Sequence, residues 1–448
     1  MSDLFAARSQ MAISLAFHII FAIVGIGMPL LMVLAERRWL RTGDALYLEL
    51  AKGWAKGTAI MFAVGAVSGT VLSFELGLLW PGFMELAGPI IGMPFSLEGF
   101  AFFVEAIFLG IYLYGWDRMP GPAHLVAGVL VALSGALSGI FVVIANAWMN
   151  TPTGFALVDG RPANIDPIAA MLNPAAVTQT LHMTLAAYAS TGLAVAGIHA
   201  FFLRTKPGNA FHRRALGVAL QLAIPAALLQ PLSGDLSAKM LAKWQPAKLA
   251  AMEGHFETRA SAPLVVGGWP DMERRETRWA LEVPYALSFL AHGDPTAEVT
   301  GLDRIPRDQW PNVPVVHWSF QVMVGLGLCM ALVALWALVT VLRRRDLAHD
   351  PRLLTALAAA APMGFLATEA GWMVTEVGRQ PWIIQGVLRT ADAVTPMPGL
   401  VVPFTLFTVL YLLLAVAVTW LMYRQIIRSP EVQEWERRYA PALGAARA

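Results

Sequence analysis

Ionisable side chains stand inside long apolar runs of the chain, where each of them needs a physical reason. At membrane depth an ionisable group costs at least about 2.5–3.5 kcal/mol on insertion scales. The groups concerned, joined by Met323 as a candidate soft ligand, are His18, His182, Glu98, Glu105 and Glu369. Imidazole, carboxylate and thioether groups are all metal ligands. The set therefore predicts an intramembrane cofactor or ion site, whereas we expect Glu75 and His199 to be structural.

Composition indicates which class of protein holds these groups. Of the 448 residues 57% are hydrophobic and 14% are charged, whereas soluble domains average roughly 45–50% apolar and 25% charged residues. This excess excludes a soluble enzyme and a disordered chain. Lys and Arg number 32 against 30 Asp and Glu, which gives no electrostatic footprint for nucleic acid. The single cysteine, Cys329, allows no internal disulfide.

Apolar runs of the required length recur along the whole chain. A helix needs about 20 apolar residues to cross the hydrocarbon core. Such runs lie near 13–35, 57–79, 96–115, 124–147, 179–203, 214–233, 316–342, 353–372 and 399–423. The first run is too long for a cleavable signal peptide and lacks a basic leading stretch. The sequence predicts an all-α integral membrane protein with nine transmembrane helices in one domain, residues 1–448, which includes a polar loop at 234–315.

The positions of Lys and Arg predict the orientation of the helices. They collect in the loops after the first, third, fifth and seventh helices and in the C-terminal tail, which holds Arg424, Arg428, Arg437, Arg438 and Arg447. Short loops rich in these residues prefer the cytoplasm. The N-terminus is therefore expected outside, the C-terminus inside and the 234–315 loop at the outer surface. A polar loop of this length in a compact protein is more often functional than idle.

Four candidate ligands share one depth. His18 and Met323 lie about two helical turns from the outer ends of their helices, and His182 and Glu369 lie about one turn from them. Random placement would scatter such groups over both halves of the membrane. Glu98 and Glu105 fall on one helix face about 10.5 Å apart along the axis, a geometry suited to a proton relay. From the residues alone, a redox protein and a transporter both stay open.

Short motifs around these groups resemble subunit I of the cytochrome bd quinol oxidases, over nearly the whole chain. The most specific are Glu-Ala-Gly-Trp at 369–372 and Gly-Arg-Gln-Pro-Trp at 378–382. In the same order as in the family stand Leu-Glu-Gly-Phe at 97–100, Gly-Trp-Asp-Arg at 115–118, Ala-Asn-Ala-Trp-Met at 145–149 and Phe-Gln-Val-Met-Val at 320–324. Each short motif is weak alone, and the resemblance rests on their combination.

The resemblance implies hemes held by side chains of separate helices. His182 and Met323 match the ligands of a low-spin heme b, where imidazole and thioether fill both axial positions, raise the potential and leave no place for O2. His18 and Glu369 match the ligands of a high-spin heme b and a heme d, with their individual assignment left open. Other positions that match the heme surroundings are Gln321, Trp372, Phe365, Asn146 and Arg379, whose guanidinium suits heme propionates.

The resemblance also implies a quinol site and a proton path. The segment Gln-Pro-Ala-Lys-Leu-Ala-Ala-Met-Glu at 245–253 resembles the quinol-binding segment, with Lys248 and Glu253 as its functional pair. A quinol that gives up two electrons also loses two protons, so a carboxylate acceptor is required beside its hydroxyl. The alternative is an exposed pair on a loop helix. Glu98 matches a residue beside the O2 site, and Glu105 and Ser138 match positions on the inward proton path.

Three departures from the common pattern resemble the short-loop, cyanide-insensitive branch of the family. Gln321 stands where members often carry arginine, which implies a lower potential of the low-spin heme or a looser propionate contact. Phe365 stands where tryptophan is common, and the insert found after the quinol segment of long-loop members is missing. Some members of that branch carry a third heme b in place of heme d, so both cofactors stay open.

The implied activity is that of a terminal quinol oxidase in the bacterial cytoplasmic (inner) membrane. It oxidises quinol at the outer side and reduces O2 to water with cytoplasmic protons, which separates charge without pumping. Expected partners are a second large membrane subunit, subunit II, and a small single-helix subunit. The alternatives are a heme-free proton-coupled transporter and a quinone-linked heme b electron carrier without O2 reduction.

Overall fold

The computed structural model describes residues 1–427, and residues 428–448 lie outside the described part. The tail residues Arg428, Arg437, Arg438 and Arg447, which entered the orientation argument, therefore lie outside it. The α-helices of the described part are α1 Asp3–Thr42, α2 Ala45–Leu79, α3 Pro81–Tyr114, α4 Gly121–Asn150, α5 Pro167–Met171, α6 Ala176–Thr205, α7 Ala210–Trp244, α8 Pro246–Glu253, α9 Ala286–His292, α10 Val313–Leu342, α11 Pro351–Ala360, α12 Met363–Val377, α13 Thr390–Ala393 and α14 Val401–Ile427.

Within residues 1–427, nine helical spans are long and apolar enough to cross a membrane. They are α1, α2, α3, α4, α6, α7, α10 and α14, with α11 and α12 together as one span. The predicted number of spans is confirmed, and each expected run coincides with one of them. Several of these helices are longer than the hydrocarbon core is thick, and each ends at a capping residue. In α1, of 40 residues, the Ser2 side chain accepts from the Phe5 amide and Gly43 closes the helix with a φ of 69°.

The predicted start of the polar loop at residue 234 is wrong, because α7 continues to Trp244. The helix ends where Pro246 follows, since a residue before proline disfavours the α conformation. Gln245 accordingly has a φ of −140° and a ψ of 58°. The polar connection between α7 and α10 therefore comprises residues 245–312, named here the 245–312 segment. The bundle end that carries it is called the segment end, and the other is called the opposite end.

The 245–312 segment begins with the short helix α8 and contains most of the residues in strands. The strands of the described part are β1 Ala156–Val158, β2 Arg161–Ala163, β3 Arg259–Ala260, β4 Leu264–Asp271, β5 Glu276–Val283, β6 Glu298–Val299, β7 Trp382–Ile384 and β8 Leu388–Arg389. They form four antiparallel pairs, β1–β2, β3–β6, β4–β5 and β7–β8. The hairpin β4–β5 pairs Leu264 with Val283 and Asp271 with Glu276 at its two ends, and β4 packs against α10.

Small residues bring the central helices close together. A Cβ at Gly192 of α6 would lie 2.9 Å from the Cα of Ala223 in α7. A Cβ at Gly364 of α12 would lie 2.5 Å from the Cα of Ser190 in α6. Real Cβ atoms do not approach so closely, so only glycine permits these two helix crossings. The second crossing fixes α12, which carries Glu369, against α6, which carries His182.

Candidate functional site

His18 of α1 is oriented by a serine of the neighbouring helix. Its Nδ1 lies 2.9 Å from the Oγ of Ser68 in α2. The Ser68 hydroxyl donates its hydrogen to the backbone carbonyl of Val64, 2.9 Å away, so it accepts from the imidazole. Nδ1 then carries the proton and Nε2 keeps its lone pair, which is the arrangement that metal-binding histidines adopt.

His182 of α6 repeats this arrangement against α7. Its Nδ1 lies 2.9 Å from the Oγ of Ser233, whose hydroxyl donates to the carbonyl of Gln230 at 2.8 Å. The side-chain amide nitrogen of Gln230 lies 3.2 Å from Nε2 of His182. The same side chain leaves its Oε1 buried, with no hydrogen-bond partner among residues 1–427. Both predicted histidine ligands therefore direct Nδ1 to a serine of the neighbouring helix, and Nε2 of His182 lies beside the Gln230 amide.

Helix α12 brings Glu369 into the same region. One hydrophobic cluster joins Ile19 of α1 and Met183 of α6 to Phe365 and Trp372 of α12. These residues stand beside the predicted ligands of the same three helices. The Oε1 of Glu369 is buried and has no hydrogen-bond partner within the described residues. A buried carboxylate oxygen without a donor fits a ligand to a metal better than a helix-packing group.

Met323 of α10 contacts α12 within the Glu-Ala-Gly-Trp motif. A Cβ at Gly371 would lie 3.0 Å from the Sδ of Met323, so glycine leaves the room that the thioether uses. The four predicted ligands thus lie on α1, α6, α10 and α12, and α12 packs against each of the other three helices. Heme ligation by them stays a prediction.

Two carboxylates of α3 face α4. The Ser138 hydroxyl donates to Oε1 of Glu98 at 3.3 Å. Glu105 is buried, and its Oε1 lies 3.0 Å from the position of a Cβ at Gly135. Since Gly135 and Ser138 are one turn apart on α4, both carboxylates lie along one helix interface, as their spacing indicates. Their part in proton transfer stays a prediction.

Lys248 and Glu253 are buried in α8, each with 3% of its surface exposed. The alternative of an exposed pair on a loop helix is therefore wrong, because α8 is covered by α7 and α10. The Nζ of Lys248 lies 2.5 Å from Oδ1 of Asn150 and 3.1 Å from Oε1 of Gln245. Burial lowers the pKa of Lys248 well below its usual value, and the positive charge of Arg379 lowers it further.

Glu253 is the last residue of α8, and its Oε2 is buried without a hydrogen-bond partner within the described residues. Burial raises the pKa of this carboxyl to about 8. A carboxyl with such a pKa exchanges its proton near neutral pH. The end of the helix is fixed by Thr277 of β5, whose hydroxyl donates to the Gly254 carbonyl at 2.7 Å. The Nδ1 of His317 in α10 lies 2.8 Å from the carbonyl oxygen of Met252.

A buried polar network continues from α8 to the end of α12. Asn150 donates to Oδ1 of Asn146 at 3.1 Å, and Asn146 donates to Oε1 of Glu376 at 2.6 Å. Arg379 donates to Oε2 of the same glutamate at 2.6 Å. Arg379 is 2% exposed, and its Nε and Nη1 have no partner within the described residues. Two buried guanidinium donors without an acceptor fit an anionic group such as a propionate.

Sequence reasoning missed three members of this network, Asn150, Gln245 and Glu376. Each stands beside or within a motif that the sequence showed. Asn150 directly follows Ala-Asn-Ala-Trp-Met, and Gln245 opens the segment of Lys248. Glu376 lies between the two most specific motifs, so its position was the signal that could have found it.

Gln321 of α10 holds the hairpin of the 245–312 segment. Its Oε1 accepts from the Gly267 amide at 3.1 Å, and its Nε2 donates to the Val265 carbonyl at 3.0 Å. Both ends of the amide are thus bonded to β4. The predicted effect of Gln321 on a heme potential stays a prediction.

Glu75, which we expected to be structural, is a buried carboxylate near His18. It accepts from Gln10 at 2.9 Å and from Ser14 at 2.8 Å through Oε1. Glu75 follows Ser68 by seven residues, which is about two helical turns, so both side chains lie on the same face of α2. Its Oε2 is buried without a hydrogen-bond partner within the described residues, as is Oε1 of Glu369, so the structural role of Glu75 stays a prediction.

These features define a class of protein: a helical membrane protein with nine spans within residues 1–427, candidate metal ligands on four neighbouring helices and a buried acid–base pair in the 245–312 segment. Residues 6–430 match the family model of cytochrome bd terminal oxidase subunit I. The chain belongs to this family.

Individual relatives agree along nearly the whole length of the chain. The solved bd oxidase from Geobacillus thermodenitrificans has a TM-score of 0.90 and 41% identity, with 96% of this chain and 99% of that chain covered. Cytochrome bd ubiquinol oxidase subunit 1 of Bacillus subtilis (strain 168) is 34% identical, with 96% and 95% covered. Cytochrome bd-II ubiquinol oxidase subunit 1 of Escherichia coli (strain K12) is 30% identical, with 96% and 98% covered.

Family membership makes the chain a subunit of a respiratory quinol oxidase. With nine spans in its described part, it is a multi-pass protein of the bacterial inner membrane. Members of the family carry hemes, and their subunit I normally works in a complex with subunit II.

Proposed function

We propose that this chain is the heme-containing subunit that oxidises quinol at the outer face and reduces O2 to water with cytoplasmic protons. The observation that carries the proposal is the pair of histidines, each with Nδ1 bonded to a serine 2.9 Å away. A histidine that only packs helices has no need of this fixed tautomer, whereas a ligand to iron does. The unpartnered Oε1 of Glu369 on the adjoining helix supports the same proposal.

The ligand set divides the iron sites into two kinds. His182 and Met323 would hold a low-spin heme b, with the thioether seated against Gly371. His18 and Glu369 would each hold one further heme, a high-spin heme b and either heme d or a third heme b. When bound, such hemes would supply one-electron transfer and, where a single protein side chain holds the iron, O2 binding. Arg379 would orient propionates through its two unpartnered donors.

At the quinol site, Glu253 takes up the proton that a quinol hydroxyl loses as it is oxidised. Its pKa of about 8 allows it to accept the proton and to release it again near neutral pH. The amine of Lys248, held by Asn150 and Gln245, lies five residues away in the same buried helix. We assign it as the donor to the second oxygen of the quinol, and the network through Asn150, Asn146 and Glu376 links it to Arg379.

Protons for water formation reach the O2 site from the opposite end. Glu105 and then Glu98, supported by Ser138, form the inward path along the α3–α4 interface. The Lys and Arg distribution supports an outer N-terminus and an inner C-terminus. Proton release on one side and uptake on the other separate charge without a pump.

The exposed apolar faces of α2, α3 and α14 support a partner in the membrane. Large side chains on these faces are Phe74, Leu78, Phe100, Phe103, Ile107, Leu406, Leu412 and Leu413. Exposed apolar surface of this size suits either lipid or a second subunit. We assign these faces to subunit II, and a small single-helix subunit is a further proposed partner.

The test is the spectrum of the purified complex after single substitutions. His182→Ala and Met323→Leu are expected to remove the low-spin heme signal and quinol oxidation together. Met330→Leu, a buried methionine on the same helix, is the matched control and keeps both. An unchanged reduced spectrum in both ligand variants would overturn the assignment.

Heme analysis of the wild-type complex separates the alternatives. A proton-coupled transporter gives no pyridine hemochrome at all. A quinone-linked heme b carrier without O2 chemistry gives a hemochrome and no CO-binding high-spin signal. The proposed oxidase gives both, and extraction of the hemes identifies heme d or a third heme b.

A further inference from the structure

A cavity of about 670 Å³ lies at the opposite end of the bundle, away from the ligands and the quinol site. It opens between the end of α1, the beginning of α7 and the end of α10. Leu216, Leu220 and Ile224 of α7 and Leu338 and Val341 of α10 form apolar walls. Its volume falls in the range of roughly 300–1,000 Å³ that is typical of ligand pockets.

Four arginines line the mouth of this cavity: Arg38, Arg213, Arg214 and Arg345. Arg213 pairs with Asp346 at 2.6 Å, and Arg214 pairs with Asp44 at 2.9 Å. Arg38 donates to the neutral Gln221 at 3.2 Å. Within residues 1–427, neither Arg38 nor Arg345 has a carboxylate partner, so two positive charges at the mouth are unbalanced.

We propose that this cavity binds an anionic phospholipid. A guanidinium matches the geometry and charge of a phosphate group, and basic pockets between the ends of membrane helices bind anionic headgroups. The charges of Arg38 and Arg345 stand at the helix ends, and the apolar walls extend from them toward the membrane interior. This order of charge and apolar surface is that of a phospholipid, whereas a free phosphate would leave the walls unused.

The experiment measures lipid binding to the purified, assembled complex by native mass spectrometry. The probes are phosphatidylglycerol, phosphatidylcholine with the same acyl chains, and soluble glycerol phosphate. We expect a preference for phosphatidylglycerol that falls roughly 30-fold in the double variant Arg38→Gln/Arg345→Gln, since each arginine near a membrane surface contributes a factor of about five. Glycerol phosphate is expected to bind far more weakly than the intact lipid.

The matched control is Arg37→Gln/Arg343→Gln, which removes the same charge from the same end. Both residues are exposed and neither lines the cavity. An equal loss in the two double variants would mean a diffuse surface charge and would overturn the proposal. So would a wild-type complex with no preference for phosphatidylglycerol, tight binding of glycerol phosphate, or a protein subunit that fills the cavity and blocks lipid. The heme spectrum and the rate of quinol oxidation are recorded for every variant. Their retention shows that the fold is intact.

Discussion

The substitution Glu253→Gln keeps the size of a buried side chain and removes its ability to accept a proton. With a pKa of about 8, the wild-type carboxyl is ionised in roughly 1% of molecules at pH 6, 10% at pH 7 and 50% at pH 8. A base must be unprotonated to act, so quinol oxidation should be lost as pH falls below 8. The expected change is about tenfold per pH unit in the rate at low quinol concentration.

The magnitude of the defect in the variant should itself depend on pH. A general base contributes about 10²–10⁴-fold in rate, and Glu253→Gln should lose that factor at pH 8. At pH 6, where few wild-type molecules carry the carboxylate, the difference between the two proteins should be about 50-fold smaller. The variant should also have no rise of the rate between pH 6 and 8.

The assay is kcat/KM for quinol from pH 6 to 9 on the purified complex, together with its reduced heme spectrum. Glu257→Gln is the matched control, because Glu257 lies in the same segment but is exposed. A Glu253→Gln complex with the wild-type pH profile would refute the reasoning about the base. Loss of the hemes from that variant would instead mean that the residue holds the segment together.

Three further substitutions test the surroundings of the sites. Asn150→Ala removes the closer acceptor of the Lys248 amine. It should raise KM for quinol about tenfold or more, with the hemes retained. An unchanged KM would contradict a role of the Lys248–Asn150 hydrogen bond in quinol binding. Ser233→Ala frees the ring of a predicted ligand and should cost about 10–100-fold in heme retention or turnover, measured by heme content per protein. His124→Ala removes the 2.8 Å hydrogen bond between the imidazole and the buried Glu36 and should lower stability by about 1–3 kcal/mol. Thermal unfolding checks this, and the added change Glu36→Gln should recover part of the loss.

The nine spans were predictable because the membrane imposes a minimum length of apolar helix, which a single run of sequence reveals. The shared face of Glu98 and Glu105 was also predictable, because helical periodicity is local. The end of α7 was not, because a helix continues past the hydrocarbon until a cap or a proline stops it, and hydropathy does not register that point. The candidate ligands were found through their cost in an apolar run and through the motifs around them.

The burial of Lys248 and Glu253 was decided by tertiary structure. The lysine and the glutamate of this octapeptide look like the charged face of a surface helix, and only the covering by α7 and α10 makes them interior. The Lys248–Asn150 contact joins residues 98 positions apart, and the Asn146–Glu376 contact joins residues 230 apart. Local pattern carries no information on such distances. The sequence by itself thus determined a membrane-spanning helical protein with a set of energetically costly polar groups. The helix packing decided which of those groups meet, because hydrogen bonds and burial depend on residues that are close in space and far apart in sequence.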